Sequence, residues 1–153
     1  MSSTRTTRQV RAPRAAVYRA LLDPDAVAVW RVPVGMSAVV HEFDPREGGR
    51  FRVSLAYDDP LRGGKTEGYT DTYHGHFATL VADAQVVEVI EFETEDPQLQ
   101  GEMTITTTLV ERAGATEVSI EHEGLPAGVS PADNETGTRM ALDKLADLFD
   151  PDH

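Results

Sequence analysis

The sequence predicts an α+β domain, in which a curved antiparallel sheet of about six or seven strands packs against a long C-terminal helix. One strand-like segment opens the chain, two short helical segments follow it, and about six strand-like segments then precede a final helix. This order is typical of a helix packed on one antiparallel sheet, whereas regular alternation of strands and helices would indicate a parallel sheet. A length of 153 residues suits one hydrophobic core, so we expect a single domain over residues 1–153.

The first part of the chain combines a strand with two short helices. Residues 4–10 are rich in β-branched and polar side chains, which is typical of a strand. Pro13 suits the first turn of a helix, and apolar side chains recur at helical spacing from there to residue 22. Asp23 and Pro24 interrupt this pattern before it resumes towards Trp30, which predicts a kink between two helices.

The middle of the chain has the pattern of an antiparallel meander. The apolar period changes to two after residue 35, and a turn over residues 44–49, with Pro45 and two glycines, predicts a hairpin. Residues 58–70 lack apolar periodicity and contain several glycines, which predicts an exposed loop. Further strands are expected over residues 71–81, 84–93, 102–112 and 116–123.

The final helix has a clear start. Ser130 is a favourable N-cap, Pro131 suits the first helical position, and Asp133 is an early acidic residue. Apolar side chains then recur at Met140, Ala141, Leu142, Leu145, Leu148 and Phe149. We expect this to be the longest helix, and expect it to lie across the sheet.

The charge and composition exclude several classes of function. The chain has 14 Lys and Arg residues against 26 Asp and Glu, a formal net charge of −12, which disfavours binding to nucleic acids and to anionic membrane surfaces. It has no cysteine, so disulfides, thiolate nucleophiles and cysteine-ligated metals are excluded. No apolar run has the ~18 residues that a membrane span needs, and no leader pattern opens the chain, so a cytoplasmic location is expected.

Six short motifs, in this order and spacing, resemble the SRPBCC superfamily of START-type lipid carriers, birch-pollen-allergen-like proteins and polyketide cyclases. They lie at residues 30–33 (WRVP), 44–51 (DPREGGRF), 73–77 (YHGHF), 108–111 (TLVE), 116–118 (TEV) and 122–126 (HEGLP). The branch they resemble is the domain of the activator of the HSP-ninety chaperone ATPase. The resemblance implies a helix-grip fold with a cavity for an apolar or amphipathic ligand between the sheet and the long helix.

One position departs from the pattern of that branch. The residue after the glycine early in the terminal helix is frequently an aromatic, usually tryptophan, whereas here Gly137 is followed by Thr138. The smaller side chain either leaves more room in the cavity or is compensated by Met140.

In this fold the core and the cavity wall share one face of the sheet, so the apolar core residues are also the candidates for ligand contact. The expected cavity wall consists of Trp30, Met36, Phe51, Val53, Tyr73, Phe77, Ile105, Leu109, His122, Thr138, Leu142 and Leu145. Of these, His122, Tyr73 and Trp30 are the candidates to orient the polar end of a ligand. His122 alternates with apolar residues and is expected on the helix-facing side, either as a ligand contact or as a buried histidine bonded to a backbone carbonyl.

Other polar residues carry weaker signals. His74 and His76 lie on one face of a strand, but the opposite face is more apolar, so we expect both to face solvent and predict no metal site. Glu88, Glu91 and Glu93 leave the inward-facing register of their strand undecided. No catalytic residues and no cofactor are predicted, because no serine lies in a nucleophile elbow and no paired acid and base can be identified.

The leading functional hypothesis is the binding of a small apolar or amphipathic ligand. One alternative is a protein-interaction module like the chaperone activators, whose acidic surface would suit a basic partner. Another is an enzyme of polyketide-cyclase type, in which a cavity histidine or carboxylate moves a proton. A monomer and a homodimer are both compatible with the sequence.

Overall fold

The computed structural model describes residues 3–33, 35–57 and 70–149. Within them the α+β fold is confirmed: seven antiparallel strands form one curved sheet, accompanied by three helices. The elements are β1 (Ser3–Val10), α1 (Arg14–Leu21), α2 (Pro24–Trp30), β2 (Met36–Phe43), β3 (Arg50–Tyr57), β4 (Thr70–Val81), β5 (Gln85–Phe92), β6 (Met103–Arg112), β7 (Ala115–Glu123) and α3 (Pro131–Asp147). The predicted loop over 58–70 lies outside the described residues, except that residue 70 already begins β4.

The strand order in the sheet is β1-β7-β6-β5-β4-β3-β2, so the first strand pairs with the last and β1 and β2 form the two edges. The helix α3 packs against β1, and α2 packs against both β2 and α3. The two helices therefore cover one face of the sheet from its opposite edges and meet each other above it. None of the described helices is long and apolar enough to cross a bilayer.

Burial alternates along the strands with a period of two, and the buried residues define the inner face of the sheet. Strand register aligns these residues in rows. One row crosses five adjacent strands and consists of Thr4, His122, Ile105, Glu88 and Phe77. Two titratable side chains, His122 and Glu88, thus lie on the inner face with one apolar residue between them.

A glycine in β4 makes room for the aromatic part of the core. Gly75 pairs with Phe51 in the neighbouring strand, and a Cβ atom at residue 75 would lie 2.9 Å from the Phe51 ring and 2.1 Å from the carbonyl oxygen of Val89. The Phe51 ring also contacts those of Phe77 and Tyr73, with centroids 5.1 and 6.3 Å apart. A side chain at residue 75 would push this aromatic cluster away from the sheet.

The terminal helix begins as predicted but buries fewer apolar residues than its pattern suggested. The Ser130 hydroxyl accepts a hydrogen bond from the Asp133 backbone N–H at 3.3 Å, as expected of an N-cap. Leu142 and Leu145 are completely buried. Met140 and Leu148, by contrast, are 36% and 41% exposed and do not belong to the buried stripe.

Polar contacts tie α3 to the elements on either side of it. The Lys144 ammonium donates to the backbone carbonyl of Val32 at 2.5 Å, just after α2. On the other side, Asp143 forms an ion pair with Arg8 of β1. The Lys144 contact thus joins α3 to the segment that follows Trp30 and Arg31, and the ion pair joins α3 to the edge strand β1.

Candidate functional site

A buried ion pair lies between the end of α2 and the inner face of the sheet. The Arg31 Nη1 donates to both carboxylate oxygens of Glu88, at 2.7 and 3.0 Å. The two side chains are only 20% and 7% exposed. Glu88 faces inward because its neighbours at alternate positions, Val86 and Ile90, are also buried. The structure thus resolves the register of β5 and excludes an exposed strand end at Glu88.

This ion pair influences the phenol of Tyr73. Burial lowers the pKa of the Arg31 guanidinium, but the charge of Glu88 and the hydrogen bond to it more than offset that effect, so the pKa is raised overall. Burial raises the pKa of Tyr73, and the Arg31 charge only partly opposes it. At neutral pH the site therefore contains a charged guanidinium and an uncharged phenol.

His122 is a buried titratable group close enough to Arg31 to be affected by its charge. It is 9% exposed and its Nδ1 has no hydrogen-bond partner. Burial, followed by the positive charge of Arg31, lowers the pKa of His122 to about 4. The imidazole is therefore uncharged at neutral pH.

Trp30 contributes a second unpartnered polar atom. The indole is 3% exposed and its Nε1 has no hydrogen-bond partner. The Arg31 guanidinium carbon lies 5.5 Å from the centroid of the indole ring, close enough for a cation–π contact. Trp30 and His122 therefore both lie in the electrostatic neighbourhood of Arg31, and we call Trp30, Arg31, Tyr73, Glu88 and His122 the inner polar cluster.

Trp30 Nε1 and His122 Nδ1 are the two atoms of this cluster that are buried without a hydrogen-bond partner. Leaving a buried donor or acceptor without a partner costs roughly 1–3 kcal/mol, so most buried polar groups are satisfied in folded proteins. Trp30 Nε1 and His122 Nδ1 each have a hydrogen-bonding capacity that a ligand oxygen or nitrogen can satisfy.

The residues expected to form the cavity wall lie mostly on the inner face. The buried members are Trp30, Phe51, Val53, Tyr73, Phe77, Ile105, Leu109, His122, Thr138, Leu142 and Leu145. Met36 is only partly buried. Thr138 donates its hydroxyl to the Asn134 carbonyl at 2.8 Å, while Met140 faces outward. The idea that Met140 fills the space beside Thr138 is therefore wrong.

Arg31 was missing from the predicted site residues, and Glu88 was one of three glutamates whose inward-facing register the sequence left undecided. Arg31 follows Trp30 in a short motif, but an arginine after a helix is ordinarily solvated and nothing local indicated a buried partner. Glu88 lies 57 residues away and reaches Arg31 only through the fold. No orienting carboxylate for His122 was expected from nearby sequence. Glu88 lies two strands away, roughly 10 Å across the sheet, with Arg31 as the group that interacts with both.

The outer face of the sheet carries a separate polar groove of about 340 Å³, lined in part by Arg50, His74, His76, Glu91 and Glu102. The ring nitrogens of His74 lie 3.0 Å from carboxylate oxygens of Glu91 and Glu93. His74 and His76 thus face outward, as expected. Within residues 3–33, 35–57 and 70–149, no three His, Asp or Glu side chains are arranged to hold a metal ion.

Comparison with known proteins identifies the family. Residues 11–150 match the family described as activator of Hsp90 ATPase homolog 1-like protein. No curated protein matches the chain.

Solved structures share the fold over almost the whole chain. Protein CV1439 from Chromobacterium violaceum is 31% identical, with a TM-score of 0.86 and 98% of each chain covered. An AHSA1-like protein from Aeromonas hydrophila is 18% identical, with a TM-score of 0.69, and the match covers 94% of this chain and 90% of that one. DynU16, from the dynemicin biosynthetic locus, is 21% identical, with a TM-score of 0.67. The match covers 95% of this chain and 46% of DynU16. The resemblance seen in the sequence motifs is therefore confirmed, and the chain belongs to the activator of Hsp90 ATPase homolog 1-like family.

Proposed function

We propose that this protein binds a small amphipathic molecule between the inner face of the sheet and α3, with the polar end of the molecule at the inner polar cluster. The observation that carries the proposal is the pair of buried, unpartnered atoms, Trp30 Nε1 and His122 Nδ1. Both belong to residues expected from the sequence to orient a ligand. A ligand that hydrogen-bonds to them would remove a cost that the free protein bears.

The helix arrangement supports the same location. The contacts of α3 with β1 and of α2 with β2 hold the helices at opposite edges of the sheet. Tyr73, Glu88 and Ile105 of the central strands are buried on the inner face of the sheet that these helices cover. An apolar ligand body that buries roughly 200 Å² there would gain about 5 kcal/mol before entropic costs.

The experiment is native mass spectrometry of gently purified protein, compared with its mass after denaturation. We expect an excess mass that disappears on denaturation. The variant Thr138→Trp places a large side chain at a buried position of α3 and should remove the excess mass. Thr136→Trp is the matched control, because Thr136 lies on the same helix but is exposed.

The result that contradicts the proposal is equally specific. If the wild-type protein has the same mass under both conditions and small aromatic molecules leave the Trp30 indole N–H resonance unchanged, the inner polar cluster is not a ligand site. Retention of the excess mass by a folded Thr138→Trp variant would place the ligand elsewhere, for example in the outer groove.

A further inference from the structure

We infer that the polar end of the ligand is an uncharged oxygen, a hydroxyl or a carbonyl group, and not a carboxylate or an amine. This inference rests on the proposed function above and specifies the chemical class of the ligand. It follows from the charge balance of the inner polar cluster and from the type of its two free atoms.

The charges of the cluster already cancel. The Arg31 guanidinium is neutralised by the Glu88 carboxylate at 2.7 Å. Tyr73 and His122 are uncharged at neutral pH, since burial disfavours their charged forms. A ligand carboxylate would be desolvated beside Glu88 and an ammonium beside Arg31, and neither charge would find an unpaired counter-ion among them.

The hydrogen-bonding capacity of the free atoms points to oxygen. An indole Nε1 only donates, so Trp30 requires an acceptor. The imidazole Nδ1 of His122 accepts in one tautomer and donates in the other. A ligand hydroxyl can accept from Trp30 Nε1 and can donate to an unprotonated His122 Nδ1, so it suits either atom, while a carbonyl oxygen suits each atom only where that atom donates.

The test uses three probes with the same apolar body: naphthalene, 2-naphthol and 2-naphthoate. Trp30 is the only tryptophan of the chain, so a single indole N–H resonance in a ¹H–¹⁵N spectrum reports on the site. Titration at pH 7 should give a Kd for 2-naphthol about tenfold lower than those for naphthalene and 2-naphthoate, the ratio expected from about one net hydrogen bond. The indole resonance should shift downfield with 2-naphthol.

Two variants assign the preference to the named atoms. Trp30→Phe removes the indole donor but keeps an aromatic ring, and His122→Leu removes the imidazole. Each should reduce the advantage of 2-naphthol over naphthalene, measured by calorimetry as the ratio of the two Kd values in the same variant. Tyr18→Phe, which removes a phenol on α1, is the control and should preserve the tenfold ratio.

The outcomes separate this inference from the proposed function. Equal binding of naphthalene and 2-naphthol, or tighter binding of 2-naphthoate, overturns the inference and leaves the proposed function intact. If none of the probes moves the indole resonance, the inference is overturned, and if the protein also has no excess mass under native conditions, the proposed function is contradicted as well. A tenfold preference that survives both Trp30→Phe and His122→Leu shows that other atoms recognise the oxygen, and also overturns the inference.

Discussion

Acidification is expected to destabilise this protein through His122. The folded protein holds the pKa of His122 at about 4, against an ordinary value of 6.5. As the pH falls below 6.5, His122 becomes protonated in the unfolded chain but stays neutral in the folded protein until about pH 4. Protonation therefore favours the unfolded chain, and the free energy of unfolding decreases between pH 6.5 and 4. The resulting loss is about 2 kcal/mol between pH 7 and pH 5, and it approaches about 3 kcal/mol at pH 4.

The assay is urea unfolding followed by circular dichroism at pH 7 and pH 5. His122→Asn keeps a polar side chain but does not titrate, so it should lose about 2 kcal/mol less than the wild type over this interval. His41→Asn is the matched control, because it removes an exposed histidine bonded to Ser54. Comparing differences between the two pH values cancels the constant cost of each substitution.

The reasoning is refuted if His122→Asn and the wild type lose equal stability between pH 7 and pH 5. Equal losses would mean that the folded protein protonates His122 as readily as the unfolded chain does. A loss of about 2 kcal/mol is a large part of the 5–15 kcal/mol that stabilises an ordinary domain, so the effect is well within reach of the measurement.

Four further substitutions test the ion pair and the packing at two glycines. Arg31→Met should lower the free energy of unfolding by about 3 kcal/mol or more, because it leaves the Glu88 carboxylate buried and unpaired. Adding Glu88→Leu to Arg31→Met should recover most of that loss, as measured by urea unfolding of both variants. If the effects of the two substitutions are simply additive, the coupling between Arg31 and Glu88 is contradicted. Gly137→Ala should stabilise by about 1 kcal/mol and raise Tm by about 2–4 °C in a thermal scan, since Gly137 lies within α3 and a Cβ there meets nothing within 4 Å. Gly75→Ala should instead destabilise by about 2 kcal/mol or more, because its Cβ would lie 2.9 Å from the Phe51 ring, and an unchanged Tm would count against that packing.

The elements were predictable because each carries a local signal. Ser130 and Pro131 mark the start of α3, Asp23 and Pro24 mark the kink between α1 and α2, and period-two alternation marks the strands. Such signals depend only on neighbouring residues and on the geometry of helix and strand. Local signals do not show how far the apolar face of a helix is covered by the rest of the fold. Met140 and Leu148 accordingly fit the apolar pattern of α3 and yet lie outside its buried stripe.

The site likewise contains residues that local sequence patterns indicated and residues that only the packing of the fold brings together. The sequence by itself indicated Trp30, Tyr73 and His122 as polar candidates on an apolar face, and the order of its segments determined the fold class. Only the tertiary structure decided that Glu88 faces inward and pairs with Arg31. A strand that is apolar in both registers does not reveal which face is buried, and an ion pair between residues 57 positions apart exists only once the sheet and α2 are packed together. The charge states of Tyr73 and His122 follow from that packing, because burial and the Arg31 charge set their pKa values.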